Sequence, residues 1–351
     1  MSDRVVEHAA DPRVLRHGAL RLLLGDYLAL SKIRLSSMVV ITTAVGFIVG
    51  SYGGIEWLRL LGTVTGTLLA AIGASAFNQA LEAGRDGRME RTRTRPIPAG
   101  RMSRRQAALF GLWTSVIGLA ILCPTANGLT ALLGLANILI YVLIYTPLKG
   151  ATTLNTLVGG LVGALPPVMG WTAASNSVPA AALLLGALLF MWQIPHFLAL
   201  AWMYRADYAR GGYRMLPVVD PTGRKTALFA ILYSLALIPI GVALLLTGAT
   251  GAIFAVGAAG LGVWLFMRSV VFARDRTDAA ARKLFLCSVA YLPLLLMIMV
   301  VDAKHPGQPR MVRTPAAITD SNAEMTPEQA HRLMQEAQAG RTAVGASTTQ
   351  P

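Results

Sequence analysis

Residues 179–200 read Pro-Ala-Ala-Ala-Leu-Leu-Leu-Gly-Ala-Leu-Leu-Phe-Met-Trp-Gln-Ile-Pro-His-Phe-Leu-Ala-Leu, and His196 is their one ionisable side chain. About 20 mostly apolar residues suffice for a helix to cross a bilayer. Eight further stretches share this character: 35–51, 57–77, 106–124, 128–146, 153–173, 227–247, 250–270 and 284–301. The 351-residue chain is 54% apolar and 14% charged, against about 45–50% and 25% in soluble domains. That balance leaves too little polar surface for soluble domains, and it excludes a disordered or collagen-like chain. The expected fold is all-α, a polytopic membrane bundle of nine helices.

The net charge of +14 is explained by where the charges sit. The connectors at 51–56, 124–127, 174–178 and 247–250 are short and almost free of Lys and Arg, whereas 84–105, 202–226 and 268–283 are rich in both. Basic excess marks cytoplasmic loops. The amino terminus is therefore expected in the cytoplasm, the carboxyl terminus outside, and the partner of the basic loops is the bilayer rather than nucleic acid. Residues 1–24 form an amino-terminal segment, 25–301 the membrane domain and 302–351 a polar tail. Within the tail, Thr326-Pro-Glu-Gln329 and Gly340 read as the start and stop of a short helix. No secretory signal or Arg/Ser-rich presequence is visible, which favours a bacterial inner membrane over a mitochondrial one. Cys123 and Cys287 lie in apolar runs and read as small buried hydrophobes.

The basic loop after the second span carries a pattern. In Asn78-Gln-Ala-Leu-Glu82-Ala-Gly-Arg-Asp86, three oxygen-bearing side chains stand four residues apart. Each step of four turns a helix by about 40°, so the three share a face. Two readings are open. A hard cation such as Mg²⁺ binds through one or two carboxylates plus substrate phosphates, or the acids simply pair with neighbouring arginines at a helix end that Gly84 and Gly87 fray before Asp86. Arg85, Arg88, Arg91, Arg93 and Arg95 crowd the same stretch, and their forked guanidiniums match phosphate oxygens. Further candidates are Tyr145-Thr-Pro-Leu-Lys149, Asn155, and the run Arg205, Asp207, Tyr208, Arg210. Asp207 is a possible additional carboxylate for a metal. His196 is the one histidine of five inside an expected span; an ionisable group there is functional by default, or is a His bonded to a neighbouring helix.

Taken in order, Asn78-x3-Glu82-x3-Asp86 with Arg88-Met-Glu-Arg-Thr-Arg-Thr-Arg-Pro-Ile-Pro-Ala-Gly100, Tyr145-Thr-Pro-Leu-Lys149, Asn155 through Trp171, Trp192-Gln-Ile-Pro-His-Phe197, Asp207-Tyr208 and Met215-Leu-Pro-Val218 resemble the motif series of the UbiA-type intramembrane prenyltransferases. The resemblance covers about residues 25–301. The Trp-Gln-x-Pro-His-Phe segment resembles the heme-modifying branch rather than the quinone and chlorophyll branches. What the resemblance implies is a bundle around a central cavity. The implied reaction joins farnesyl diphosphate to the 2-vinyl group of heme B with addition of water, giving heme O and diphosphate. Mg²⁺ would sit on Asn78, Glu82 and Asp86, with heme B a substrate rather than a resident cofactor. Asp86, Glu82, Lys149 and His196 would serve catalysis, His196 as general base or heme ligand. Arg85, Arg91, Arg95, Tyr145, Arg205, Asp207 and Tyr208 would surround the substrates. Pathway logic would add heme A synthase or terminal-oxidase assembly as protein partners.

The chain departs from the pattern twice. Glu82 stands where the family usually has Asp, and Asp207 is followed four residues on by Gly211, which thins a second acidic motif. The competing classes are a prenyltransferase with a quinone-precursor or other aromatic acceptor, a membrane transporter, and a non-catalytic heme-binding assembly factor. A transporter would be expected to carry an ionisable chain across the bilayer, whereas the charged motifs here cluster at one side.

Overall fold

The computed structural model describes residues 12–51 and 54–303, with side chains from Leu22 onward. Residues 304–351, which include the expected tail helix, lie outside the described residues. In chain order the helices are α1 (Pro12–Ser31), α2 (Ile33–Gly50), α3 (Trp57–Asp86), α4 (Arg104–Thr125), α5 (Gly128–Leu139), α6 (Thr146–Ala151), α7 (Asn155–Ser175), α8 (Ala180–Met203), α9 (Arg205–Arg210), α10 (Leu216–Val219), α11 (Arg224–Leu246), α12 (Ala252–Asp275) and α13 (Asp278–Val301). A π-helical turn, Ile140–Tyr145, joins α5 to α6, and the three pieces form one span. Among the described residues nine spans are long and apolar enough to cross a membrane, as expected from sequence. Helix α1 runs unbroken across the boundary drawn at residues 24 and 25.

Helix ends follow local chemistry. Ser103 and Gln106 form a reciprocal capping box that starts α4. Asn127 caps α5. Thr277 caps α13, which therefore begins before its apolar run. Helix α3 does not fray at Gly84. It continues to Asp86, because Gln79, Ala80, Leu81, Glu82 and Ala83 are good helix formers and only the Arg104 guanidinium stands near the Gly84 α-carbon. One long helix thus holds Asn78, Glu82 and Asp86 on a continuous face.

Water does not drive helices together inside a bilayer, so close backbone approach must. A Cβ on Gly111 would stand 2.9 Å from the Gly73 carbonyl oxygen, and one on Gly118 would stand 2.7 Å from that of Gly66. Glycines one heptad apart on α3 and α4 thereby bring the two backbones into contact. Leu112, Trp113, Val116 and Ile117 of α4 and Leu228, Leu232 and Leu235 of α11 stay exposed, as a lipid-facing belt requires. Trp171, Phe254, Phe272 and Tyr291 are buried in the largest packed cluster.

The charged connectors meet at one end of the bundle. Arg205 Nη1 donates to Asp278 Oδ1 at 2.5 Å, and the Arg214 N–H donates to the Lys149 carbonyl at 2.7 Å. The opposite end is closed by Asn127 Nδ2 donating to the Thr172 carbonyl, 2.7 Å, and by Asp302 Oδ2 accepting from the Phe254 N–H, 2.7 Å.

Candidate active site

Positions 67, 71, 75, 78 and 82 advance by four, four, three and four, so they form one stripe along α3. Thr67, Ala71 and Ser75 line a largely apolar cavity of about 200 Å³ enclosed by α2, α3, α5, α7 and α8. Tyr141 and Tyr145 also line it, their rings stacked with centroids 5.3 Å apart. One turn farther along α3 the stripe turns polar: Asn78, Glu82 and Asp86 are all buried. A charged pit therefore continues the face that lines an apolar chamber.

The pit is a lattice of ion pairs. Lys149 Nζ stands 2.8 Å from Glu82 Oε1, and Arg95 Nη1 donates to Asp86 Oδ2 at 2.7 Å. Lys32 Nζ donates to Asn78 Oδ1 at 2.9 Å. Lys32 is not among the site residues expected from sequence. Its backbone is left-handed, φ 43 and ψ 51, uncommon for a residue with a Cβ. That turn separates α1 from α2 and delivers the ammonium to Asn78. Burial, reinforced by the nearby Arg95 and Lys149 charges, lowers the Lys32 pKa to about 7.

Asn78 is oriented from its other side. An ammonium can only donate, so the amide oxygen faces Lys32 and Nδ2 donates to Thr146 Oγ1 at 3.0 Å. Thr146 Oγ1 in turn donates to the Tyr141 carbonyl at 2.8 Å. The Thr146 N–H bonds the same carbonyl. The π turn supplies that five-residue reach; such turns recur at functional sites.

The other expected residues divide into two groups. Arg85 comes to the pit margin, its guanidinium 5.5 Å from the Tyr213 ring centroid, and Lys149 stands 4.6 Å from the Tyr145 centroid. Burial, with Glu82 adding to it, raises the Tyr213 phenol well above its ordinary range. Arg91 lies farther out, over Tyr204 and Tyr208, and donates to the Tyr208 hydroxyl at 3.2 Å. Asp207 is committed elsewhere: its carboxylate accepts from the Glu90 and Arg91 amides at 2.8 and 3.3 Å and from Arg210 at 2.8 Å. Burial opposes the charge, but these three donors outweigh it and hold the carboxyl below its usual range. Asp207 thus anchors the loop after α3 instead of offering a free carboxylate. Arg205 also departs from expectation, because α8 ends at Met203 and α9 restarts the chain toward α13. Its guanidinium bonds the Trp202 carbonyl and Asp278.

His196 packs on α13 with its Nδ1 2.8 Å from Ser288 Oγ. Gln193 and Phe197 line the cavity and His196 does not. The ring is held by a neighbouring helix, one of the two readings left open by sequence.

The donors in the pit suit a hard cation. All are oxygens: the Asn78 carboxamide and two carboxylates. Glu82 Oε1 is buried without an aligned hydrogen-bond donor, although the Lys149 ammonium lies within ion-pair distance. Among the described residues no group of three or more His, Cys, Asp or Glu side chains gathers as a metal site. Two carboxylates and an amide fit an ion that takes its remaining ligands from water and phosphate.

Among the described residues, nine spans thus surround an apolar chamber, and an acidic, cation-lined pit continues the α3 face that lines it. Residues 39–292 match the model of the UbiA prenyltransferase family, and the chain belongs to that family. It is a multi-pass membrane protein and a prenyltransferase. The protoheme IX farnesyltransferase of Salinibacter ruber is 43% identical over 280 residues, which are 80% of this chain and 99% of that one. The mitochondrial protoheme IX farnesyltransferase of Homo sapiens is 42% identical over 283 residues, 81% of this chain and 63% of that one. Among solved structures, an apo UbiA homologue from Aeropyrum pernix K1 shares the fold with a TM-score of 0.63 at 18% identity, covering 77% of this chain and 98% of that one. A UbiA homologue from Archaeoglobus fulgidus bound to GPP and Mg²⁺ gives 0.57 at 15% identity, covering 78% and 99%.

Proposed function

We infer that this chain joins the farnesyl group of farnesyl diphosphate to the 2-vinyl group of heme B, with addition of water, giving heme O and diphosphate. The observation that carries this reading is the 43% identity to a protoheme IX farnesyltransferase across 99% of that protein's length. The site geometry is consistent with it. Asn78, Glu82 and Asp86 would hold Mg²⁺, and a solved relative carries that ion with a prenyl diphosphate. Bound there, the metal would supply charge neutralisation of the departing diphosphate.

The chain's own residues divide the remaining work. Lys149, Arg95 and Lys32 stand at hydrogen-bonding range of Glu82, Asp86 and Asn78 respectively and can exchange those partners for diphosphate oxygens. Arg85 adds a cation at the margin. Positive groups already in place where negative charge develops are a strong source of rate. The stacked Tyr141 and Tyr145 rings line the chamber, with Lys149 over Tyr145, and their faces would flank the allylic cation, while the apolar lining would take the farnesyl chain and limit water. The vinyl terminal carbon bonds farnesyl C1 as the C1–O bond breaks. Water then adds to the neighbouring vinyl carbon and loses a proton.

The same reading puts the pit on the cytoplasmic side of a bacterial inner membrane, with the amino terminus cytoplasmic and the carboxyl terminus outside. A reporter fused after residue 301 should be extracytoplasmic, and a cytoplasmic reporter would overturn that orientation. Asp86→Asn tests the chemistry: the inserted variant should make no farnesylated heme, and near-wild-type product would remove Asp86 from the metal site.

A further inference from the structure

Ser288 lies fully buried on α13 and receives two bonds from α8, one helical turn apart. Trp192 Nε1–H donates to its carbonyl at 2.8 Å, and its hydroxyl stands 2.8 Å from His196 Nδ1. A hydroxyl has one proton to give. Ser288 gives it to the Phe285 carbonyl in its own helix, at 2.6 Å. Toward His196 it can therefore only accept, so Nδ1 carries the ring proton. In a neutral imidazole the lone pair is then on Nε2. Nε2 has no protein partner among the described residues. Around the half-buried ring stand Trp192, stacked at 5.2 Å between centroids, Phe285 at 4.8 Å and Phe197 edge-on at 5.7 Å.

We propose that Ser288 is a positioning residue that holds His196 as the Nδ1–H tautomer so that Nε2 binds the iron of the heme substrate. The proposal rests on the heme-acceptor reading above and deepens it. Three observations converge. A metal-binding histidine usually donates its other ring N–H to a fixed partner, which orients the ring and raises its basicity; Ser288 is such a partner. The side chains around the ring, Trp192, Phe285 and Phe197, are apolar and aromatic, of the kind that packs on a porphyrin face. And His196 does not line the apolar cavity along the α3 face that farther on carries Glu82 and Asp86. A base acting on the reacting carbon would have to sit in that cavity. Iron lies at the centre of the macrocycle, so a ligand to it belongs at a distance from the peripheral vinyl group.

The experiment is a heme B titration of the full chain in detergent, read by the Soret and visible bands, with product formation measured separately. Ser288→Ala keeps the backbone carbonyl that holds Trp192 and removes only the acceptor for Nδ1–H. It should weaken heme binding by roughly 10–100-fold, as the loss of such a partner does elsewhere, and shift the ligand-field bands. His196→Ala should abolish the imidazole-type bands. Trp192→Phe removes the other α8–α13 bond but leaves the His196 partner, so its bands should stay as in wild type. Ser288→Thr, which keeps the hydroxyl, should retain both bands and affinity. If wild type makes farnesylated heme while His196→Ala binds heme with unchanged affinity and spectrum, the iron-ligand proposal is wrong and the heme-acceptor reading stands. If His196→Ala loses the bands but Ser288→Ala does not alter them, Ser288 has no positioning role. If wild type makes no farnesylated heme, the underlying reading fails first.

Discussion

Replacing Lys149 by Met would strip the counter-charge from a carboxylate that has almost no contact with solvent. Glu82 is 4% exposed and Lys149 15%, with 2.8 Å between Nζ and Oε1. At an effective dielectric of 20 the gross attraction at that distance is about 6 kcal/mol, most of it offset by the desolvation of both groups. Removing one partner of a buried pair costs about 3–5 kcal/mol, because the other charge is left buried and unpaired. The Arg95 charge nearby, with the partial charge of Lys32, places this case at the lower end. The double variant Glu82→Leu with Lys149→Met removes both charges and should recover at least half of the loss. Catalysis should not recover with it: either variant should lose about 10²–10³ in turnover, the scale for deleting one group that meets transition-state charge. Thermal unfolding in detergent reads the first quantity, with roughly 1–2 °C per kcal/mol from an unfolding entropy of about 2.1 cal/mol/K per residue; single-turnover product formation reads the second. A Lys149→Met protein that melts within 2 °C (roughly, on the same scale) of wild type and turns over normally would refute the argument. So would a double variant less stable than the single one.

Three further outcomes follow from the geometry. Thr146→Val should leave the buried Asn78 Nδ2 unpaired and cost about 1–3 kcal/mol, raising the Mg²⁺ concentration needed for half-maximal rate; Thr146→Ser should behave as wild type in the same titration. Asp207→Asn should loosen the loop after α3 and cost about 1.5–3 kcal/mol, the scale of hydrogen bonds to a charged group. Because the folded protein holds this carboxyl below its ordinary value, its contribution is complete above about pH 4 and is lost as pH falls through the folded-state value. The melting temperature of wild type should thus drop at acid pH, and that of Asp207→Asn should drop less. Glu82→Asp retracts the carboxylate by one methylene while keeping its charge, and the flexible Lys149 stem can follow; turnover should stay within about tenfold of wild type, measured over a Mg²⁺ titration.

Much of this molecule is legible in its sequence because two periodicities coincide. Nine apolar runs fix the spans, and alternating loop charge fixes which ends meet. The four-residue spacing of Asn78, Glu82 and Asp86 puts them on one face whatever surrounds them. What the sequence hides is set by tertiary contact. Lys32 lies 46 residues before Asn78, and nothing local announces that a left-handed turn aims it there. The π turn that lets Thr146 reach both Asn78 and the Tyr141 carbonyl is a departure from the helical repeat that pattern reading assumes. Asp207 and Arg205 carry chemistry suited to the pit, but Asp207 is consumed by two backbone amides and Arg205 by the start of α13. His196 is conspicuous as the one histidine within a span, yet its partner Ser288 lies 92 residues away on another helix.

The most direct measurement of the central claim is product analysis by mass on the purified full chain in detergent, supplied with heme B, farnesyl diphosphate and Mg²⁺. The account predicts a new heme heavier by one farnesyl group and one water, and its disappearance when Mg²⁺ is withheld. Heme B recovered unchanged from folded, heme-binding protein would contradict the account.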